Sequence, residues 1–287
     1  MDKLRFCSYS KLHGNLAKEY LTDCGWGCTI RNFQTLLANA LVRLDVDPKV
    51  FLDDKISSNI FSFNKLVKEA EKYGGRPGQH YATSVVLRSL IDTCHEAMPE
   101  KFPFDAHIVN SITECDEVVN KYSQRPLIAF VQLRMGLYHP DVAQVTALKT
   151  CMKMPVFLGT VGGKSKSSYY MFAMTDDNKV IYLDPHILTT DNNTANYAVQ
   201  NHQIGLDLKA TDIDPNMTIA FLCVSCNDRQ YLRDALKELD LYIVDLRFHD
   251  SLIQPVIRDG DGRSMFTTIL DAKSVSDDEI DDFTILQ

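Results

Sequence analysis

The chain has 287 residues, of which 45% are apolar and 24% charged, and a formal net charge of −8. That length buries a core as one large domain or two ordinary ones, and the composition is that of a soluble globular protein. The acidic balance excludes a broad basic face for nucleic acid or anionic lipid, and no apolar run approaches the ~20 residues that cross a bilayer. The opening "MDKLRFCSYS" lacks the apolar run of a secretory signal, so a cytoplasmic protein is expected. Its eight cysteines would then stay reduced and pack mostly as small hydrophobes.

In chain order, the first strong signal is 29–44, where Ile30, Phe33, Leu36, Leu37, Ala40, Leu41 and Leu44 share one helical face. The spacing predicts a buried helix of about four turns. "NKLVKEAEKYG" is a second helical pattern, stopped at Gly74, and "YATSVVLRSLIDTC" a third, entered from the loop "GGRPGQH". Strands follow: "PLIAFVQL" as a run covered on both faces, then "SSYYMFAM" and "KVIYLDPH" as an antiparallel pair about the turn "TDDN". "TIAFLCVS" is another buried strand, and a helix is expected from an N-cap at Asn227. Helices first and a mostly antiparallel sheet later indicate an α+β architecture. Cys223 and Cys226 have metal-ligand or redox spacing, but no second ligand pair accompanies them, and an incidental pair is the simpler reading. The acidic end, 274–287, has neither period and reads as a mobile tail.

The segment "DCGWGCTIRNFQ" sets Cys28 where a loop meets the long helix. The first turn of a helix carries free N–H groups and a partial positive charge, which favour a thiolate over a thiol. Gly25 and Gly27 allow a tight bend and close approach of a substrate chain. Trp26 between them is either a wall for that chain or a core anchor. A cysteine at a helix start is by itself ordinary, so a base must be sought elsewhere. "VIYLDPHI" supplies one candidate, because Asp184 and His186 are two apart and project from one face of a strand. A carboxylate beside an imidazole fixes its tautomer and favours its charged form, as a cysteine nucleophile requires. The alternative is a surface Asp-Pro turn with an idle histidine.

Together these stretches resemble the autophagins, the autophagy-related protein 4 family of papain-like cysteine endopeptidases. The resemblance is carried by "GWGCTIRNFQTLLANAL", "FNKLVKEAEKYGGRPGQHYATSVV", the block from "RMGLYHPD" through "GGKSKSSYYMFAM", and "VIYLDPH", across roughly residues 5–225. It implies a helical N-terminal half whose nucleophile helix packs on a mostly antiparallel sheet, within a protease domain of residues 1–270. Residues 226–270 complete it or form a small subdomain, and 271–287 form the tail. By the same resemblance Cys28 is the nucleophile, His186 the base, Asp184 its orienter, and Tyr9 an oxyanion donor beside the Cys28 N–H. Read without the family, Tyr9 is only a partly buried surface aromatic.

The resemblance further assigns substrate contact to Trp26, His80, Gly162, Gly163, Lys164 and Ser165. Two of these depart from the family: His80 stands where a tryptophan covers the substrate tail, and Ser165 where a proline follows "GGK". With eight residues before Tyr9, little of the N-terminal extension found over the site in relatives is expected. The implied reaction cleaves after the C-terminal glycine of a GABARAP-like ubiquitin-fold modifier. It would act on both precursor and lipid-conjugated forms, meeting membranes only through the substrate, without nucleic acid, metal or other cofactor. Phe283 and Leu286, in "DDFTIL", resemble a short motif that docks on such modifiers by adding a strand. The rivals are a protease for the ubiquitin-fold modifier of another pathway, and a modifier-binding adaptor that cuts nothing.

Overall fold

A buried central helix organises the computed structural model, which describes residues 4–14, 16–56, 59–97, 102–110, 114, 125–136, 138–186, 197–198 and 204–239. Every described residue belongs to one packing unit, Met1–Leu246. Cys115, the tail with Phe283 and Leu286, and the part of 226–270 beyond 239 lie outside the described residues.

The central helix is α1 (Cys28–Arg43), followed by α2 (Lys49–Leu52), α3 (Phe63–Ala70) and α4 (Thr83–Glu96). The strands are β1 (Arg5–Phe6), β2 (Asp105–Val109), β3 (Leu127–Arg134), β4 (Phe157–Lys164), β5 (Ser167–Met174), β6 (Lys179–Leu183), β7 (Tyr197–Ala198), β8 (Ile204–Lys209) and β9 (Asn216–Cys223). Two further helices, α5 (Val142–Lys153) and α6 (Cys226–Glu238), complete the elements named here. One sheet runs in the order β2-β3-β9-β4-β5-β6-β8. Its β2–β3 pair is parallel and the other pairings are antiparallel. β1 and β7 form a separate antiparallel pair. The architecture is therefore α+β, as expected.

β3 explains why an unbroken apolar run was legible as a strand. Ile128 and Phe130 enter a core shared with α1, α3 and α4, while Leu127, Ala129, Val131 and Leu133 enter a second core with α5 and α6. Both faces are dry, so alternation disappears from the sequence. The helix expected from an N-cap at Asn227 is capped two residues earlier, at Ser225. Ser225 Oγ accepts from the Asp228 N–H, and the Asp228 carboxylate accepts from the Ser225 N–H, a reciprocal cap that Asn227 does not provide. Among the described residues, no helix is long and apolar enough to cross a membrane.

From Cys28 to Leu41 every residue of α1 is buried, polar ones included. Buried polar groups must be paired, and here the pairing builds structure. Arg31, Thr35 and Asn39 are four apart and share a face. Asn39 accepts from the Arg5 N–H at 2.8 Å and donates to its carbonyl at 3.0 Å. Thr35 Oγ1 accepts from the Cys7 N–H at 2.9 Å, and Arg31 donates to Ser10 Oγ at 2.8 Å. Residues 5–10 are thereby laid antiparallel along the helix.

Arg31 is the hub of this arrangement. Its guanidinium meets Asp23 at 2.5 Å, Asp54 at 2.6 Å and Gln34 at 2.8 Å, and lies 4.3 Å over the Phe63 ring. Removing one partner of a buried ion pair leaves charge without compensation, at a cost of about 3–5 kcal/mol. Arg31→Ala should therefore lower the unfolding free energy by about that much in urea titration. A loss within ordinary surface-mutation scatter would mean that the network contributes nothing.

Candidate active site

The loop entering α1 is held by Asp23, whose carbonyl accepts the N–H groups of Trp26 at 3.2 Å and Gly27 at 2.9 Å. Gly25 adopts φ +82°, a left-handed conformation that favours glycine. At Gly27 a Cβ would stand 2.7 Å from the Asp23 side chain and 2.9 Å from Phe63, so the turn tolerates no side chain there. The result places Cys28 in the first turn of α1, where N–H groups are free of intrahelical partners.

Asp184 and His186 meet by a different route from the one their spacing implies. β6 ends at Leu183, before the pair. Asp184 Oδ1 accepts the His186 main-chain N–H at 3.0 Å and also contacts Nδ1 of the same residue. A side-chain turn, rather than strand alternation, thus brings carboxylate and imidazole together. With Nδ1 engaged by Asp184, Nε2 is the nitrogen left for other chemistry. The imidazole is flanked edge-on by two rings, Tyr9 at 5.3 Å and Tyr169 at 5.7 Å between centroids. Tyr9 is further tied to this turn by its N–H, which donates to the Pro185 carbonyl at 2.9 Å.

The electrostatics couple Cys28 to this pair. Burial alone would push the thiol up, but the His186 imidazole, the Ser168 main chain and the Tyr9 hydroxyl outweigh it and hold Cys28 below its ordinary value. Burial would lower His186, yet Asp184 and Cys28 together raise it to about 9. Asp184 is pulled below the usual carboxylate range by His186, against the effect of burial. Tyr9 moves upward through burial and the nearby Cys28 charge, so it stays a hydroxyl. His186 Nε2 is buried and has no other hydrogen-bond partner among the described residues, which leaves it to act on Cys28.

The remaining residues of interest are distributed around this centre. Trp26 is only 4% exposed, packed against Tyr20, Phe63 and Tyr81, with its indole N–H on the Thr22 carbonyl at 3.2 Å. It is a core anchor behind the loop, not an open wall. His80 is exposed and held low by partial burial and by the positive charges of Lys166 and His186. The loop before α4 therefore faces the β4–β5 turn. Gly162 and Gly163 are buried strand residues, where a Cβ would meet Met217 at 2.8 Å and the Ser167 carbonyl at 2.3 Å. Lys164 and Ser165 are exposed at the turn. Cys223 is buried and pushed up to about 12 by burial, while Cys226 is exposed at the start of α6.

Sequence reasoning missed Tyr169, Ser168 and the Arg31 network. An arginine inside an otherwise buried helix was the available signal for the last, since such a charge demands acidic partners. Ser168 and Tyr169 carried no such mark.

Comparison with known proteins adds an independent finding. The peptidase C54 catalytic domain profile matches residues 3–235. The chain is 36% identical over 260 residues to the cysteine protease ATG4A of Xenopus laevis, covering 72% of this chain and 65% of that one. It is 29% identical over 216 residues to the probable cysteine protease ATG4 of Meyerozyma guilliermondii, covering 73% and 52% respectively. A rice cysteine protease ATG4A is 26% identical over 260 residues, covering 73% and 54%. The chain thus spans about half to two thirds of the length of these relatives.

Asp184→Asn should remove the main support of the imidazolium. The His186 titration, followed by NMR of the ring protons, should fall from about 9 toward the ordinary histidine range. An unmoved midpoint would show that Asp184 does not hold the charge.

Proposed function

Because the chain belongs to the peptidase C54 family, whose fold is papain-like, we propose that it is a cysteine peptidase that cleaves after the C-terminal glycine of a GABARAP-like ubiquitin-fold modifier. The observation that carries this reading is the mutual perturbation of Cys28 and His186, one lowered and the other raised to about 9. A thiol held low beside an imidazole held high favours the thiolate–imidazolium form, in which a cysteine attacks without a separate deprotonation.

The thiolate of Cys28 attacks the carbonyl carbon of the tail glycine, and the carbonyl oxygen becomes an oxyanion. The Cys28 N–H and the Tyr9 hydroxyl accommodate that charge, each donor being typically worth ~3 kcal/mol of barrier. His186 then gives its proton to the departing nitrogen, the C–N bond breaks, and a thioester remains. Water, losing a proton to Nε2, attacks the thioester and expels the thiolate as the glycine carboxylate forms. Asp184 holds the ring throughout.

One leaving group is the peptide beyond the glycine of a precursor, and the other is the amine of phosphatidylethanolamine in the conjugated modifier. A glycine at the scissile position suits a narrow approach, since only a residue without Cβ lets walls close on the backbone. A reducing compartment such as the cytoplasm keeps the Cys28 sulfur out of disulfides, and on that ground the protein is assigned there. Phe283 and Leu286 provide a second hold on the modifier, as an added strand with two pocketed side chains and an acidic approach.

The chain incubated with matched modifier precursors under reducing conditions should yield a product ending at the glycine by mass. Cys28→Ala should abolish that product while leaving the fold intact. Absence of cleavage for every precursor would defeat the peptidase reading, and cleavage only of a modifier from another pathway would redirect it. Deleting residues 281–287 should weaken affinity for the modifier about tenfold, with cleavage of a saturating short tail peptide unaffected. Unchanged affinity would dismiss the docking role.

A further inference from the structure

Asn32 lies one helical turn beyond Cys28 and is fully buried. Residues four apart on a helix share a face, so its side chain follows Cys28 toward the sheet. Its amide Nδ2 donates to Ser168 Oγ at 3.0 Å, across 136 residues of sequence. Among the described residues its Oδ1 has no hydrogen-bond partner. An apolar side chain of similar size would avoid that unmet group. What Asn32 gains is therefore the single bond to Ser168.

Ser168 is the second residue of β5 and pairs in register with Gly163 of β4. The hairpin turn beyond it comprises Ser165 and Lys166, with Lys166 at φ 63°. Pairing with β4 sets the register of this strand start, and the Asn32 bond ties it to α1. The next residue, Tyr169, is the ring that flanks His186. The Ser168 main chain also reaches Cys28, where it favours the charged sulfur.

We propose that Asn32 is a positioning residue for the nucleophile, its amide pinning Ser168 so that the first turn of the β4–β5 hairpin keeps a main-chain N–H against the Cys28 sulfur. The N–H is a fixed donor that costs no reorganisation when the sulfur gains charge. Asn32 touches no substrate and acts only through Ser168. This rests on the reading of Cys28 as nucleophile, so the test follows the sulfur itself rather than turnover.

The pH dependence of Cys28 alkylation by iodoacetamide, followed peptide by peptide by mass spectrometry in the full chain, reads thiolate formation directly. In Asn32→Ala and Ser168→Ala the midpoint should move up by about half a unit, or roughly threefold slower labelling on the acid side. Ser168→Thr, which keeps the hydroxyl, should retain the original midpoint. Should Asn32→Ala fail to fold, Ser168→Ala still decides, because it removes only the acceptor at the end of the bond. Unchanged midpoints in variants that have merely lost thermal stability would reduce the bond to a structural strut and overturn the inference. An ordinary cysteine midpoint in the unaltered chain would overturn both this inference and the peptidase reading beneath it.

Discussion

The structure depends on one constraint: a helix buried on all sides must find partners for nearly all of its polar groups, Asn32 Oδ1 being left without one among the described residues. α1 carries Thr29, Arg31, Asn32, Gln34, Thr35 and Asn39 into the interior. Each unmet group would cost on the order of 1–3 kcal/mol, and an uncompensated charge more. Some partners lie elsewhere, as the Phe61 carbonyl and Asp54 do for Gln34. Others come from the segments that surround Cys28. Thr29 holds the Tyr81 carbonyl at 2.8 Å, beside His80. Arg31 holds Asp23 in the entry loop and Ser10 beside Tyr9, and Asn32 holds Ser168. In these cases satisfying the helix and assembling the site are the same event.

That origin explains the division of labour in the electrostatics. Arg31 is fully paired, so its charge is spent on Asp23 and Asp54 and organises the loop. The charge that bears on Cys28 comes from His186, which arrives just beyond the end of β6 with its own carboxylate. Keeping the two ion systems apart lets the imidazole change protonation during a reaction without disturbing the fold. Tyr9 joins them physically, through Ser10 on one side and Pro185 on the other.

Much of this was legible before the fold. The periodicity of 29–44 reports burial, and the glycines at 25 and 27 report a bend that side chains would obstruct. Cys28, Asp184 and His186 stood out because their residue types and local spacing suit one chemistry. The reason given for the last two was nevertheless wrong in part, since the strand stops at Leu183 and an Asp side-chain turn takes over. Trp26 was ambiguous because a tryptophan between glycines serves equally as wall or anchor, and only its contacts with Phe63 and Tyr81 decide. Ser168 and Tyr169 were invisible for a different reason. Their importance comes from a pairing register with β4 and a contact with a helix far away in sequence, neither of which leaves a local pattern. β2 was missed because its pairing to β3 is parallel and needs no neighbouring turn.

The departures from the family pattern at His80 and Ser165 fit the same logic. Both residues are exposed and sit on turns at the rim, one before α4 and one at the end of β4. Neither is among the side chains that satisfy α1, so exchanging a tryptophan or a proline there removes no buried hydrogen bond. What the exchange does alter is polarity. Partial burial, with the positive charges of Lys166 and His186, holds the His80 ring below its ordinary value. On the proposed reading, a ring that would cover a substrate backbone by apolar contact is replaced by one that offers a hydrogen bond. His80 also feels the positive charge of His186, so the exchange at the rim reaches the pair that acts on Cys28 as well.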